Sequence, residues 1–333
     1  MKEEYKCPCR DVDPDHFIEN EEVNKLIETK KNYKFKEYDY LKLYNCVHCN
    51  DCGTAEERFL LKEKYLKDGN SIEGLDEITT TFEEFGTPYR YNKSRLKHID
   101  GLNQQSSTLL YLGCFTTVKT PRYGENVIKY LLKEGVSFSI LDEEICCGYP
   151  ILCTGLIDFY KEFVEKNLSL FKEKGFNKII TVCPSCYMVF KKHYSKYGIE
   201  VKYFTEYLKP PKLKKTGNLI IQHACPLKNG EIPGIADDME ALYTESGYNV
   251  LSEVPRDCCG FGVGHQLRIE VSEVIANNRM KDFKEEGGYL SNLQENIPSY
   301  MTSYCPDAYH VLEMYGRKEK VKFKPRDMCD LLL

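Results

Sequence analysis

The chain has 333 residues, of which 42% are hydrophobic and 29% are charged, so we expect a globular protein with more than one domain. Its 46 basic residues against 51 acidic ones exclude a general attraction to nucleic acid, and the absence of a membrane-spanning stretch or signal peptide predicts a cytoplasmic location. Sixteen cysteines in such a chain argue against a disulfide framework and favour metal or redox chemistry over scattered buried thiols.

Residues 1–105 contain charged stretches with helical periodicity, such as AEERFLLKEKYLKDG, which ends on Gly69. Two compact cysteine groups lie near the beginning and the middle of this segment. We therefore predict a small helical segment that carries a metal site.

The middle of this segment contains a C-x-x-C-x-x-C motif, formed by Cys46, Cys49 and Cys52. The spacing is that of a bacterial ferredoxin, although the expected fourth cysteine is replaced by Glu56. In two-cluster ferredoxins one ligand comes from a distant Cys-Pro pair, and Cys7 precedes a proline here, so we assign Cys7 as the fourth ligand. Cys9 remains the rival. These residues predict one cubane 4Fe-4S cluster, with a zinc site as the alternative.

From Thr108 the sequence alternates between apolar runs, TLLYLG, FSIL and NKIITVC, and helical patterns such as GENVIKYLLKEG. This alternation predicts an α/β domain over residues 106–210. The proline-rich stretch KPPKLKKTG then marks a linker, and a second α/β domain, residues 216–333, begins with NLIIQHAC.

The two α/β domains, called copy one and copy two below, repeat one cysteine pattern: a lone cysteine after a strand, a Cys-Cys-Gly, and a later Cys-Pro. In copy one the set has five members: Cys114, Cys146, Cys147, Cys183 and Cys186. In copy two the set has four members: Cys225, Cys258, Cys259 and Cys305. Ala308 stands where the fifth cysteine of copy two would be.

Five thiolates exceed the four that a cubane 4Fe-4S cluster takes, so copy one either has a spare cysteine or holds an unusual cluster. Because the cysteines follow strands, their side chains are expected to converge at one edge of a sheet. Gly148 permits a sharp turn after the adjacent pair, and Pro184 suits the first turn of a helix that carries Cys186.

The Cys-Cys-Gly with a preceding lone cysteine and a following Cys-Pro-Ser-Cys resembles the cysteine-rich domain of heterodisulfide reductase catalytic subunits. The same duplicated domain occurs in iron-sulfur subunits of glycolate and anaerobic glycerol-3-phosphate dehydrogenases, and the resemblance covers residues from about 40 to 315. It implies a noncubane 4Fe-4S cluster on the five cysteines of copy one, which cleaves a disulfide by binding its sulfur at iron. The four cysteines of copy two suffice for a cubane cluster, an altered cluster or zinc.

The resemblance implies an iron-sulfur redox protein that reduces a CoM-S-S-CoB-like disulfide at copy one, with electrons supplied through the N-terminal cluster and by redox partner subunits. A non-catalytic electron-transfer subunit and a zinc-binding scaffold are the alternatives. No glycine-rich dinucleotide fingerprint follows a strand, so no nicotinamide or flavin is expected.

Cys153 and Cys329 fit no set and are interpreted as buried thiols. His223, two residues before Cys225, is interpreted as a hydrogen-bonded neighbour of the second site.

Overall fold

The computed structural model describes residues 7–29, 32–91, 102, 105–211, 216–261, 267–284, 290 and 292–333. Residues 1–6 of the predicted N-terminal domain and residues 212–215 of the predicted linker lie outside this range. The described residues form a helical N-terminal segment followed by two α/β units, which confirms the predicted fold class.

The N-terminal segment consists of short helices: α1 (Pro8–Val12), α2 (Asn20–Thr29), α3 (Tyr40–Leu43), α4 (Ala55–Lys67) and α5 (Leu75–Phe85). Helix α4 has Glu56 and Glu57 in its first turn and Lys64 and Lys67 in its last turn, which is the charge order that the helix dipole favours. A small apolar core, which includes Tyr65 of α4, joins α4 to the preceding helices.

Copy one consists of β1 (Thr108–Tyr111), α6 (Cys114–Val118), α7 (Pro121–Lys133), α8 (Tyr149–Thr154), α9 (Ile157–Glu173), β2 (Lys178–Thr181), α10 (Pro184–Tyr194) and β3 (Glu200–Tyr203). Its three strands are parallel in the order β1-β2-β3. The prediction of a strand at the FSIL run is wrong. Only Ser139 of this run pairs with the sheet, through a single bridge to Leu109.

Copy two consists of β4 (Asn218–Gln222), a π-helical turn (Leu227–Glu231), α11 (Ile235–Glu245), β5 (Asn249–Val250), α12 (Ile269–Asp282), β6 (Ser299–Ser303), α13 (Pro306–Lys318) and β7 (Lys324–Pro325). Its strands are also parallel, in the order β5-β4-β6-β7. The two sheets therefore have matching topology, with the Ser139 bridge of copy one in the place of β5. This confirms the internal repeat.

The parallel strands bring the cysteines of each copy to one edge of its sheet. Cys114 begins α6 three residues after the end of β1, and Cys183 caps α10 two residues after the end of β2. In copy two, Cys305 caps α13 two residues after β6. Because the carboxyl ends of parallel strands meet at the same edge, the fold itself gathers these thiols.

The two copies share contacts through their cores. The Tyr123 hydroxyl of α7 donates a hydrogen bond of 3.1 Å to the Ser303 carbonyl, and Asn126 donates one of 2.7 Å to the buried Asp327 carboxylate. Apolar residues from both copies belong to one continuous cluster. Among the helices in the described part of the chain, none has the length and apolar character needed to cross a membrane.

Candidate metal centres

The five predicted thiols of copy one lie together. The Sγ atoms of Cys114 and Cys146 are 3.6 Å apart, Cys147 contacts both Cys146 and Cys186, and Cys186 contacts Cys183. All five line one cavity of about 40 Å³. Three aromatic rings complete its wall: Tyr89, Phe115 and Tyr149. The set is thus a compact group of sulfur donors in apolar surroundings.

The glycine of each Cys-Cys-Gly has two structural roles. Gly148 and Gly260 have φ values of +88° and +79°, which few other residues adopt. A Cβ atom on Gly148 would lie 2.9 Å from the Tyr160 ring on α9, and one on Gly260 would lie 2.7 Å from the Ser272 carbonyl on α12. Glycine is therefore required both for the turn and for the close approach of the following helix.

Glu144 positions the loop that ends at Cys114. Its buried carboxylate accepts hydrogen bonds from the backbone N–H groups of Leu112 (2.8 Å) and Gly113 (2.6 Å). Burial raises the pKa of Glu144 to about 8, and the two N–H donors oppose that shift. The sequence offered no motif that pointed to this residue.

The four predicted thiols of copy two also share a cavity, of about 50 Å³. They are Cys225, Cys258, Cys259 and Cys305, and Ala308 lines the same cavity. Cys258 contacts Cys225 and Cys259 directly. The buried His223 ring is held by Glu240 (3.0 Å) and the Tyr304 hydroxyl (3.3 Å), so both of its nitrogens have protein partners. Its place beside the site is that of a supporting neighbour.

Cys49 lies with the copy-two thiols, although the sequence groups it with the N-terminal motif. Its thiol contacts Cys258, and it lines the same 50 Å³ cavity. An open cleft of about 240 Å³ also reaches Cys49, Cys225 and Cys258. The cations on the wall of this cleft are Lys228, Arg256 and Arg279.

The N-terminal thiols form a third group, in which both rivals for the fourth position take part. Cys9 contacts Cys7 and Cys46, and the Val47 N–H lies 3.4 Å from the Cys9 Sγ. The guanidinium of the buried Arg58 contacts Cys52. The group therefore contains Cys7, Cys9, Cys46 and Cys52.

Asp307 lies between the thiol sets of the two copies. Its carboxylate oxygen is 3.9 Å from the Sγ of Cys183 in copy one and 3.9 Å from the Sγ of Cys305 in copy two. Desolvation raises the pKa of Asp307 to about 7. The sequence shows only that Asp307 takes the place of Ser185 in the repeat, and this gives no hint of its role.

The donor sets fit iron-sulfur clusters. All sixteen cysteines are free, and those of the three groups are buried or partly buried. Thiolates at cavities with apolar walls are the ligands that such clusters take. No three His, Cys, Asp or Glu side chains within the described ranges are arranged to hold a single metal ion. Cys153 and Cys329 lie buried outside the three groups.

Comparison with known proteins places two matches to the cysteine-rich domain on the chain, at residues 108–191 and 219–296. The chain is 28% identical to a subunit of the fumarate reductase (CoM/CoB) of Methanothermobacter marburgensis, over 71% of this chain and 52% of that protein. It is 24% identical to a subunit of the dihydromethanophenazine:CoB–CoM heterodisulfide reductase of Methanosarcina mazei, over 72% of this chain and 67% of that protein.

A third relative, the EtfAB:quinone oxidoreductase of Syntrophomonas wolfei, is 31% identical over 60% of this chain and 30% of its own length. The chain spans about half the length, or less, of several of the curated relatives that it matches. Several of these relatives carry names of iron-sulfur proteins or of oxidoreductase subunits.

Proposed function

Because the chain carries two copies of the cysteine-rich domain and is related to heterodisulfide reductase subunits, we propose that it reduces a small disulfide at copy one. The observation that carries this proposal is the five-thiol set around one cavity, since only copy one has five cysteines of its own. A noncubane four-iron cluster on these thiols would supply single-electron steps and an iron to which substrate sulfur binds. The relatives' names suggest a mixed disulfide of two small thiols, of the CoM-S-S-CoB kind.

Reduction of a disulfide consumes two electrons and two protons and releases two thiols. We assign the electrons to a redox partner subunit, which delivers them to the N-terminal group. That group adjoins copy two, where Cys49 contacts Cys258, and copy two adjoins copy one across Asp307. The proposed order is therefore N-terminal group, copy two, copy one, in place of the direct transfer to copy one that the sequence suggested.

Asp307 is the residue that we propose to move a proton in this reaction. Its carboxyl adjoins the copy-one cavity and reaches the thiol sets of both copies. A carboxyl at this place can protonate a thiolate as it leaves, because it adjoins the thiols of both sets.

The test uses anaerobically isolated protein with reduced methyl viologen as the electron donor and a small mixed disulfide as the substrate. Release of two thiols for each two electrons consumed supports the proposal. Cys147→Ser should abolish turnover, whereas Cys153→Ala, a change at a buried cysteine outside the sets, should keep it. Equal turnover in both variants would reject catalysis at copy one.

A role in electron transfer alone is the second candidate, favoured by the contrast between the cavities. The thiol cavities measure about 40 Å³ at copy one and about 50 Å³ at copy two, whereas the cleft that adjoins copy two measures about 240 Å³. A pure relay would show cluster reduction without thiol release, with any disulfide tested. Metal analysis separates both redox roles from a zinc scaffold, because a scaffold would contain zinc and no iron after anaerobic isolation.

A further inference from the structure

The loop that carries the C-x-x-C-x-x-C motif is bent on both sides of its middle cysteine. His48 and Asn50 have φ values of +54° and +59°, in the left-handed region that residues other than glycine adopt infrequently. These two residues flank Cys49. The bend brings the Cys49 thiol into contact with Cys258, while the Cys46 thiol contacts Cys9 of the N-terminal group.

The first half of the bend is held from within the N-terminal segment. The buried His48 ring stacks on Phe59 with 4.5 Å between ring centroids, and its Nε2 lies 2.6 Å from the Lys62 Nζ. Lys62 in turn donates a hydrogen bond of 2.8 Å to the Cys153 carbonyl of copy one. The left-handed backbone conformation of His48 costs free energy, and the contacts of its ring with Phe59 and Lys62 offset that cost.

The second half of the bend is held by copy two. The Asn229 side-chain amide donates a hydrogen bond of 3.0 Å to the Cys49 carbonyl, and the Lys228 ammonium lies 4.0 Å from the Asp51 carboxylate. Both residues belong to the π-helical turn that follows Cys225. The backbone of Cys49 is thus attached to the same segment that carries a thiol of copy two.

The Cys49 side chain completes this arrangement. It is 8% exposed, its thiol contacts Cys258, and it lines the cavity that also holds Cys225, Cys259 and Cys305. We propose that Cys49 is a ligand of the copy-two metal centre, and that Cys9 takes its place in the N-terminal centre.

This assignment divides fourteen cysteines into one set of four and two sets of five. With Cys49, copy two has five thiolates, as copy one does, although Ala308 replaces its own fifth cysteine. Cys49 does not occupy the place of that missing cysteine. The fifth cysteine of copy one, Cys186, contacts Cys147 and Cys183, whereas Cys49 contacts Cys258, which corresponds to Cys146. The inference is independent of the proposed function, because it holds for a catalytic or a relay protein and for iron or zinc at copy two.

The test compares Cys49→Ser with two reference variants in the full chain. Cys46→Ser removes a ligand of the N-terminal centre only, and Cys225→Ser removes a ligand of copy two only. After anaerobic reconstitution with iron and sulfide, each variant is examined for iron, zinc and acid-labile sulfide per chain. The electron paramagnetic resonance spectrum is recorded in the reduced and the oxidised state.

We expect the spectrum and metal content of Cys49→Ser to match those of Cys225→Ser, and those of Cys9→Ser to match Cys46→Ser. If copy two holds zinc, the matching loss will be of zinc and the iron content will stay constant. A Cys49→Ser protein that matches Cys46→Ser overturns the inference. So does one that keeps every centre of the unmodified protein.

A further variant tests the inference even if the cysteine variants fail to fold. Asn229→Ala leaves all thiols in place and removes the hydrogen bond that holds the Cys49 backbone. We expect it to change the spectrum or the metal content of the copy-two centre and to leave the N-terminal signal as it is. A change at the N-terminal signal alone would contradict the inference.

Discussion

Glu144 shows how a single buried carboxylate can hold the loop that leads into Cys114. It is 5% exposed and accepts hydrogen bonds from two successive backbone N–H groups immediately before Cys114. Within the described residues these donors have no other partner, so their satisfaction depends on this side chain. Its contribution is to the geometry of copy one and not to ligation.

We predict that Glu144→Ala lowers the free energy of unfolding by about 2–5 kcal/mol, because each buried donor left without an acceptor costs about 1–3 kcal/mol. The same change should reduce the iron content of copy one. Unfolding by denaturant and iron analysis of the anaerobic protein measure the two effects. Glu143→Ala, a change at the exposed neighbouring residue, is the control and should alter neither value.

At the scale of elements, Gly155 allows α8 of copy one to approach the N-terminal helix α4. A Cβ atom at this position would lie 2.7 Å from the Lys62 carbonyl carbon of α4, and its φ is +91°. Two hydrogen bonds cross the same contact: Tyr44 donates one of 2.7 Å to the Thr154 carbonyl, and Lys62 donates one to the Cys153 carbonyl before it. Separation of these helices would release the bent loop that carries Cys49.

We predict that Gly155→Ala destabilises the protein by more than Gly135→Ala. Both glycines have positive φ, so each alanine costs about 1–2 kcal/mol for the left-handed backbone. Gly135 has no atom within 4 Å of the added Cβ, whereas Gly155 meets the backbone of α4. The unfolding temperatures of the two variants give the difference. Equal values would show that α8 and α4 separate without cost.

The elements that sequence predicted correctly are those with long local patterns. Strands β1, β2 and β4 come from continuous apolar runs, as parallel strands buried on both faces require. Strands β5 and β7 have two residues each, and the FSIL run forms only the Ser139 bridge. Whether such short segments pair as strands depends on the strands beside them and not on their own sequence pattern. The five-thiol grouping of copy one follows from its spacing within a repeat.

The location of Cys49 lies beyond what spacing can predict. The motif indicates three thiols around one site, and this holds only while the backbone between them keeps its usual course. Here the left-handed residues His48 and Asn50 and the distant Asn229 redirect the middle cysteine. A contact over 180 residues of sequence is a tertiary effect, and it leaves no mark on local pattern.

At the scale of the whole molecule, Tyr203 connects the two cysteine-rich copies next to their thiol sets. Its buried hydroxyl lies 3.0 Å from the Val182 carbonyl and also contacts the Tyr304 carbonyl. Val182 precedes Cys183, and Tyr304 precedes Cys305. One hydroxyl therefore ties together the residues before the Cys-Pro of each copy.

We predict that Tyr203→Phe lowers the free energy of unfolding by about 1–3 kcal/mol, because it removes the one hydroxyl donor that lies between these two buried carbonyl groups. Tyr197→Phe is the control, because Tyr197 is 45% exposed. The substitution removes its hydroxyl and keeps the aromatic ring that contacts Lys172 and Lys196. Denaturant unfolding of both variants measures the effect. A loss of similar size in the control would remove the special role of Tyr203.

The order of the three thiol groups leads to a prediction about their magnetic interaction. The loop between Cys46 and Cys52 of the N-terminal group reaches copy two, where Cys49 contacts Cys258, and Asp307 separates copy two from copy one. Paramagnetic clusters that are close neighbours broaden each other's resonance signals, and the effect declines with distance. We therefore expect the copy-two signal of the fully reduced protein to sharpen when Cys46→Ser removes the N-terminal cluster, while the copy-one signal changes less. Sharpening of the copy-one signal alone would mean that the N-terminal cluster is coupled directly to copy one.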